Sequence, residues 1–309
     1  MSSQDSGVLN IDKPQGMTSH DVVVRVRRIT GIRRVGHAGT LDPLATGVLL
    51  VCVGAATRVV EYLQTGRKVY ETTVRLGQET DTYDADGEII AETPVPHFSL
   101  ETLERALDAF RGEIEQTPPA YSAIKRNGQP LYKLARAGKA VQAPKRRVVI
   151  DDIAILSWRN PHLQLRITCS PGTYIRAIAH DLGRALGVGG HVQSLHRIAS
   201  GSWRVEDAVT LEALAATGPD WPRYLHGLRG ALSMLPPVVL PAELAYRFAL
   251  GQRVPLPDDS SPTPGQDLRV LGPGEKFIGV GRIKKGVLAP HKVFADPAKF
   301  KAKAESAQR

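Results

Sequence analysis

Between Gly36 and Gly47 the sequence GHAGTLDPLATG gathers three glycines, one proline, one histidine and a single carboxylate, Asp42, into twelve residues. Loops on rigid flanks are where reactive groups tend to sit, and Pro43 keeps the Asp42 backbone away from helix. Asp42 is therefore expected in one fixed pose, as a reactive carboxylate requires. The same residues also suit a plain turn or cap, because Asp-Pro is a common turn starter, and local signals leave both readings open. Other chemistries fail on residue type. GxxxxGK(S/T) needs a lysine after its second glycine, which is missing here, and GxGxxG does not occur in the segment. His37, His191 and His196 have neither HExxH spacing nor neighbouring cysteines, so no metal is expected. The acidic turn DTYDADG resembles a calcium loop only faintly. Setting Gly87 at the sixth position puts Thr82 at the first and Thr93 at the twelfth, where carboxylates are needed.

The elements around this loop follow from periodicity and turn residues. GVLNID reads as a short strand closed by Lys13-Pro14-Gln15-Gly16. A helix follows, with Thr18 and Asp21 at capping-box spacing, Val22, Val23, Val26 and Ile29 at helical intervals, and Gly31 as a left-handed stop. Arg33 to Thr46 is expected as loop, leading into the apolar run Gly47–Gly54 and a short helix from Thr57 to Gln64. Lys68–Leu76 alternates as a strand with Tyr70, Thr72, Val74 and Leu76 on its apolar face, a place where tyrosine is more often plain core. Ser99–Phe110 is amphipathic and helical. Strands are expected over Val148–Leu156, Leu163–Cys169 and His191–Ile198, with a helix over Thr173–Leu186. Late in the chain Pro236, Pro237 and Pro241 mark a boundary near Leu235. Beyond it FIGVGRI and VLAPHKVF read as strands joined at Lys284-Lys285-Gly286, and residues from Pro297 on as a frayed tail. Interleaved strands and helices with hairpin signals predict an α+β fold around a mixed, mostly antiparallel sheet flanked by helices. The expected domains are 1–234, with an insertion at about 116–150, and a small β-rich domain at 235–309.

At 309 residues, 42% hydrophobic and 23% charged, the chain is long enough for two domains and for a full core. The N-terminal residues lack a basic segment followed by an apolar one, and no apolar run approaches membrane-spanning length. With only Cys52 and Cys169, both inside apolar runs, a reducing, cytoplasmic setting is expected. The net charge of +9 is clustered. Lys125, Arg126, Lys133, Arg136, Lys139, Lys145, Arg146 and Arg147 fall between Gln116 and Ile150 without one acidic residue. A second acid-free stretch, Val22–Leu41, holds Arg25, Arg27, Arg28, Arg33 and Arg34. These are either solvated faces or the footprint of a nucleic-acid binder, and a pI of about 9.6 favours the latter.

Six segments, in this order, resemble one known family. GVLNIDKPQGMTSHD, GHAGTLDPLATGVLL, KVYETTVRLGQETDTYDADG, TPPAYSAIK, SPGTYIRAIAHDLG and HVQSLHRI are similar to motifs of the bacterial tRNA pseudouridine synthases that act on uridine 55 of the TΨC arm. The C-terminal module is similar, more weakly, to that family's PUA-like RNA-binding domain. The resemblance implies the pseudouridine synthase fold and isomerisation of uridine to pseudouridine, with Asp42 as the essential carboxylate and Arg176 as its partner. It implies Tyr70 as the ring stacked on the target base, serving in proton removal as well. It places His37 beside the flipped nucleotide and Tyr174 and Leu195 in the pocket wall. Lys13 and Arg58 match basic positions near the site and are expected to contact RNA, and Lys125, Arg126, Arg146 and Arg147 belong to the expected RNA-binding segment. The family pattern is departed from at His196, where arginine is common, and at His20, where asparagine is frequent; both bear on RNA contacts. No cofactor is implied, since the isomerisation is redox-neutral. The expected partner is the TΨC stem-loop of tRNA, met by a monomer without guide RNA or obligatory protein partner.

Overall fold

The structure, a computed structural model, describes residues 6–119, 121, 125–126, 129–130, 143–257 and 263–301, with backbone alone at 125–126 and 129–130. The chain opens with β1 (Gly7–Lys13), α1 (Ser19–Thr30), β2 (Val35–Ala38), β3 (Thr46–Val53) and α2 (Val60–Gln64). It continues through β4 (Lys68–Leu76), β5 (Gln78–Thr80), β6 (Ile89–Glu92), α3 (Leu100–Asp108) and β7 (Gly112–Gln116). Two short strands, β8 (Lys125–Arg126) and β9 (Gln129–Pro130), precede the long pair β10 (Arg146–Arg159) and β11 (His162–Cys169). The helix Ile175–Ala185, β12 (Gly190–Ser200), β13 (Trp203–Arg204) and β14 (Val209–Thr210) complete the main sheet region. The C-terminal part contributes β15 (Pro237–Val239), the helix Ala242–Ala249, β16 (Asp267–Gly272), β17 (Lys276–Lys284) and β18 (Val287–Val293).

The main sheet runs β14-β1-β3-β12-β4-β11-β10-β7, with β2 also on β3 and β13 on β12. Its pairs are antiparallel except for two-residue parallel contacts of β1 with β14 and of β12 with β3. The apolar run of β3 is buried on both faces, which explains why it lacks alternation. Leu49, Val51 and Val53 join the core beneath α1 and the helix Ile175–Ala185, while Val48, Leu50 and Cys52 pack with Val59, Tyr62 and Leu63 on the other side. By contrast β4 alternates strictly, and its buried set, Lys68, Tyr70, Thr72, Val74 and Leu76, includes all four residues predicted for the inner face. Helix α1 carries the predicted capping box of Thr18 and Asp21, and Gly31 ends it at φ 70°.

The stretch expected as loop before Thr46 contains β2, whose four residues pair with Leu50–Val53. Without it the upper edge of β3 would bury unpaired backbone groups, a cost larger than weak local propensity can oppose. The basic segment expected at 116–150 is shorter as an excursion, because Arg146–Ile150 open β10 and pair with all five residues of β7. Within it the backbone of β8 pairs with β9 around Asn127-Gly128; the turn itself and the helix expected near Leu131–Ala137 lie outside the described residues. The four-stranded sheet β15-β16-β17-β18 has its own core with Phe248, Val270, Ile278 and Leu288. The tail expected to fray from Pro297 is helical over 298–301, and it buries Phe300 in that core; one large ring against the sheet outweighs the polar residues around it. Among the described residues no helix is long and apolar enough to cross a membrane.

Candidate active site

Asp42 sits in a turn anchored from three directions. From α1, the buried Ser19 hydroxyl donates to the Leu41 carbonyl at 3.0 Å and accepts from the Leu41 N–H at 2.8 Å. From β1, the Lys13 ammonium donates to the carbonyls of Met17 at 2.6 Å, Pro14 at 2.8 Å and Pro43 at 3.3 Å. From β12, Arg197 donates to the carbonyls of Val48 at 2.7 Å, Gly39 at 3.0 Å and Thr40 at 3.4 Å. Gly47 closes the turn at φ 95°, and a Cβ there would lie 2.3 Å from the Arg197 carbonyl oxygen. Only glycine fits both constraints. The turn hydrogen bond is made by the Asp42 backbone carbonyl, accepting from Ala45 N–H at 3.1 Å. Its carboxylate points elsewhere, toward Arg176.

Arg176, the second residue of its helix, forms a 3.0 Å ion pair with Asp42 and a 3.2 Å ion pair with Asp84. It also donates to the carbonyls of Thr82 and Tyr121, both at 3.0 Å. Its side chain is 6% exposed, whereas that of Asp42 is 35% exposed and faces the cavity. Asp84 is fixed in turn by the Thr82 hydroxyl at 2.6 Å and the Asp86 N–H at 3.2 Å. Burial raises the Asp42 carboxyl above its ordinary range, Arg176 pulls against that shift, and Asp84 adds to it. The acidic turn, unfit as a calcium site, thus supplies the second carboxylate of this network. A buried guanidinium needs compensating charge, and that requirement is the signal by which Asp84 could be found.

The cavity, about 280 Å³, is lined by Asp42, Tyr70, Tyr174, Arg176 and Leu195 together with Gln64, Lys68 and Arg197. Five residues named from the sequence therefore converge. Tyr70 stands on β4 opposite Arg197 of β12, and burial raises its phenol pKa, so it stays protonated. The backbone of Tyr174 is clasped by the Gln116 amide, which donates to its carbonyl at 2.9 Å and accepts from its N–H at 2.8 Å.

Other sequence-named residues fall elsewhere. His37 does not line the cavity; it lies half-buried on β2, and burial lowers its pKa. Lys13, expected among RNA contacts, is fully buried and spends its three donors on loop carbonyls, and burial lowers its pKa to about 8. Arg58, also expected there, donates to the Val293 carbonyl at 2.8 Å and lies 4.6 Å from the Phe294 ring centre. It ties the C-terminal part to the region preceding α2, beside the Lys292–Glu61 ion pair and the Tyr62 hydroxyl, which donates to Asp267 at 2.9 Å. Arg146 donates to the Gly172 carbonyl at 3.1 Å beside the Tyr174 ring, and Arg147 pairs with Glu113 at 3.4 Å. The side chains of Lys125 and Arg126 lie outside the described residues. Cys52 and Cys169 are both free and buried.

Comparison with known proteins shows the family of the chain. Residues 27–175 match the family model described as TruB family pseudouridylate synthase (N terminal domain). Residues 176–246 match a tRNA pseudouridylate synthase B C-terminal domain, and 236–294 match Pseudouridine synthase II TruB, C-terminal. The tRNA pseudouridine synthase B of Cupriavidus pinatubonensis is 45% identical over 93% of both chains. That of Acaryochloris marina is 46% identical over 92% of this chain and 97% of its own. Among solved structures, one described as a Cbf5-Nop10-Gar1 complex superposes with a TM-score of 0.75 at 26% identity, covering 96% of this chain and 88% of that one. The chain belongs to the TruB family of pseudouridylate synthases.

Proposed function

We propose that the protein isomerises uridine to pseudouridine in tRNA, at position 55 of the TΨC arm, using the Asp42 carboxylate. It is a pseudouridine-forming isomerase, as the shared name of its relatives supports. The observation that carries the site assignment is the Asp42–Arg176 ion pair at the edge of a cavity walled by Tyr70, Tyr174 and Leu195. The reaction breaks the bond from sugar C1′ to base N1, turns the base, and joins C1′ to C5. A carboxylate facing the cavity suits action on the sugar, as in glycosidases, and Arg176 keeps it aimed. A base within a folded stem must leave its stack, at a cost of about a few kcal/mol, and aromatic walls offset that loss. Tyr70 is assigned to the base face, and His37 to support of the extruded nucleotide from outside the cavity. Residues 1–234 form the catalytic domain in this reading, and 235–309 the RNA-binding one. Arg146 and Arg147, with Lys125 and Arg126, contribute phosphate contacts. The enzyme acts as a monomer, in the cytoplasm, without guide RNA.

The test is incubation of the purified protein with unmodified tRNA transcript and no other RNA, followed by chemical mapping of pseudouridine. Product at uridine 55 from the natural protein, and none from Asp42→Asn with RNA affinity retained, is the expected result. Binding without product from the natural protein would instead make this an RNA-binding module.

A further inference from the structure

Lys68 opens β4 two residues before Tyr70, so both side chains leave the strand on the same face, and both line the cavity. It is 4% exposed, a rare state for lysine. An ammonium carries three N–H donors. One reaches the Ser200 hydroxyl at 2.9 Å and one the Gln64 carbonyl at 3.3 Å. Among the described residues the third has no acceptor, and no carboxylate forms an ion pair with Lys68. Its charged and titratable neighbours are Arg197 from β12 and Cys169 from β11, so the cation is not neutralised locally. Burial lowers its pKa to about 8, which still leaves most of it protonated at neutral pH. An uncompensated buried cation is costly to fold around. Such a group is useful where negative charge appears only during reaction.

We infer that Lys68 donates its remaining N–H to a carbonyl oxygen of the detached uracil and so holds the charge of the base while it turns. The inference rests on the isomerase reading above. When C1′–N1 breaks, the bonding pair departs with the base and spreads over N1 and the two carbonyl oxygens. The C1′–C5 bond then forms from an electron pair of the same base. The proton shed by C5 is matched by one taken up at N1, so no oxidant, reductant or co-reactant enters. Asp42 serves the electron-poor sugar, and Lys68 the electron-rich base.

The test uses the full chain, a TΨC stem-loop, and single-turnover rates for Lys68→Met, with Lys68→Gln as a second neutral variant if the first folds poorly and Lys68→Arg to restore the charge. The neutral variants are expected to bind RNA as the natural protein does and to turn over on the order of a hundredfold more slowly. Lys68→Arg should recover part of that loss. Replacing the target by 5-fluorouridine, whose base carries negative charge more easily but has no C5 proton to shed, should shrink the deficit of the neutral variants when the rate read for both substrates is loss of the C1′–N1 linkage, because a better leaving base needs the cation less. Neutral variants at the natural rate, or a deficit equal for both substrates, would overturn the role of Lys68. Absence of product from the natural protein would instead sink the isomerase reading itself.

Discussion

Arg176 and Arg147 are the same residue type in opposite settings. Arg176 is buried against two carboxylates and two carbonyls, whereas Arg147 is 79% exposed and, among the described residues, forms its ion pair with Glu113. The first cation has no freedom left to greet a ligand and can only position what it touches. The second is free to exchange its partner for a phosphate. Burial, more than charge, divides the positive residues of this protein into those that build the site and those proposed to recruit RNA. Lys13 and Arg197 fall with Arg176, because their donors are committed to backbone carbonyls of the Asp42 turn, of the loop after β1 and of β3.

Breaking the buried side should have the largest effects. Arg176→Ala leaves Asp42 and Asp84 facing each other without a cation, and should destabilise the fold by about 3–5 kcal/mol while abolishing turnover. Chemical denaturation and product mapping check both. Asp84→Asn is milder: it removes one charged partner of Arg176, worth about 1.5–3 kcal/mol, so kcat should fall roughly tenfold to a hundredfold with little change in RNA affinity. Its pH profile sharpens the point. Burial, helped by Asp84, keeps the Asp42 carboxyl above the ordinary range, so the active carboxylate is lost as pH falls through that raised value. Without the Asp84 charge the pKa of Asp42 drops, and the acid limb of the rate should move to lower pH; a limb that stays put would dissociate Asp84 from Asp42. Gly47→Ala should cost about 1–2 kcal/mol from its left-handed backbone alone, with a further cost from the clash with Arg197, visible as a lower melting temperature.

On the exposed side, neutralising Arg146 and Arg147 together should leave kcat nearly unchanged at saturating RNA. It should reduce the salt dependence of binding by about 0.7 to 0.9 in log–log slope for each phosphate that is no longer neutralised. Arg147→Gln alone should shift stability by no more than about 0.5 kcal/mol. An unaltered salt slope would erase the distinction drawn between the two groups of cations.

Much of this is legible from local pattern. The capping box at Thr18 and Asp21, the stop at Gly31 and the inner face of β4 depend on neighbours within a few residues, and the structure carries all three. The convergence of Asp42, Tyr70, Tyr174, Arg176 and Leu195 follows from family motifs rather than from periodicity. What stays hidden depends on distant partners. Arg197 grips Val48 across 149 positions, and Arg176 reaches Thr82 across 94. A sequence marks such residues as basic without saying whether their donors meet solvent or carbonyls. For that reason Lys13 and Arg58 look like RNA contacts in the sequence, and β2 looks like loop because its pairing need arises from β3, not from its own residues.

The most direct measurement is a structure of the protein with a TΨC stem-loop carrying 5-fluorouridine at the target position. The expected result is an extruded base against Tyr70, with an Asp42 carboxylate oxygen in contact with the sugar or base at the reacting linkage. A base that remains stacked in the stem, or one seated away from Asp42 and Arg176, would contradict it.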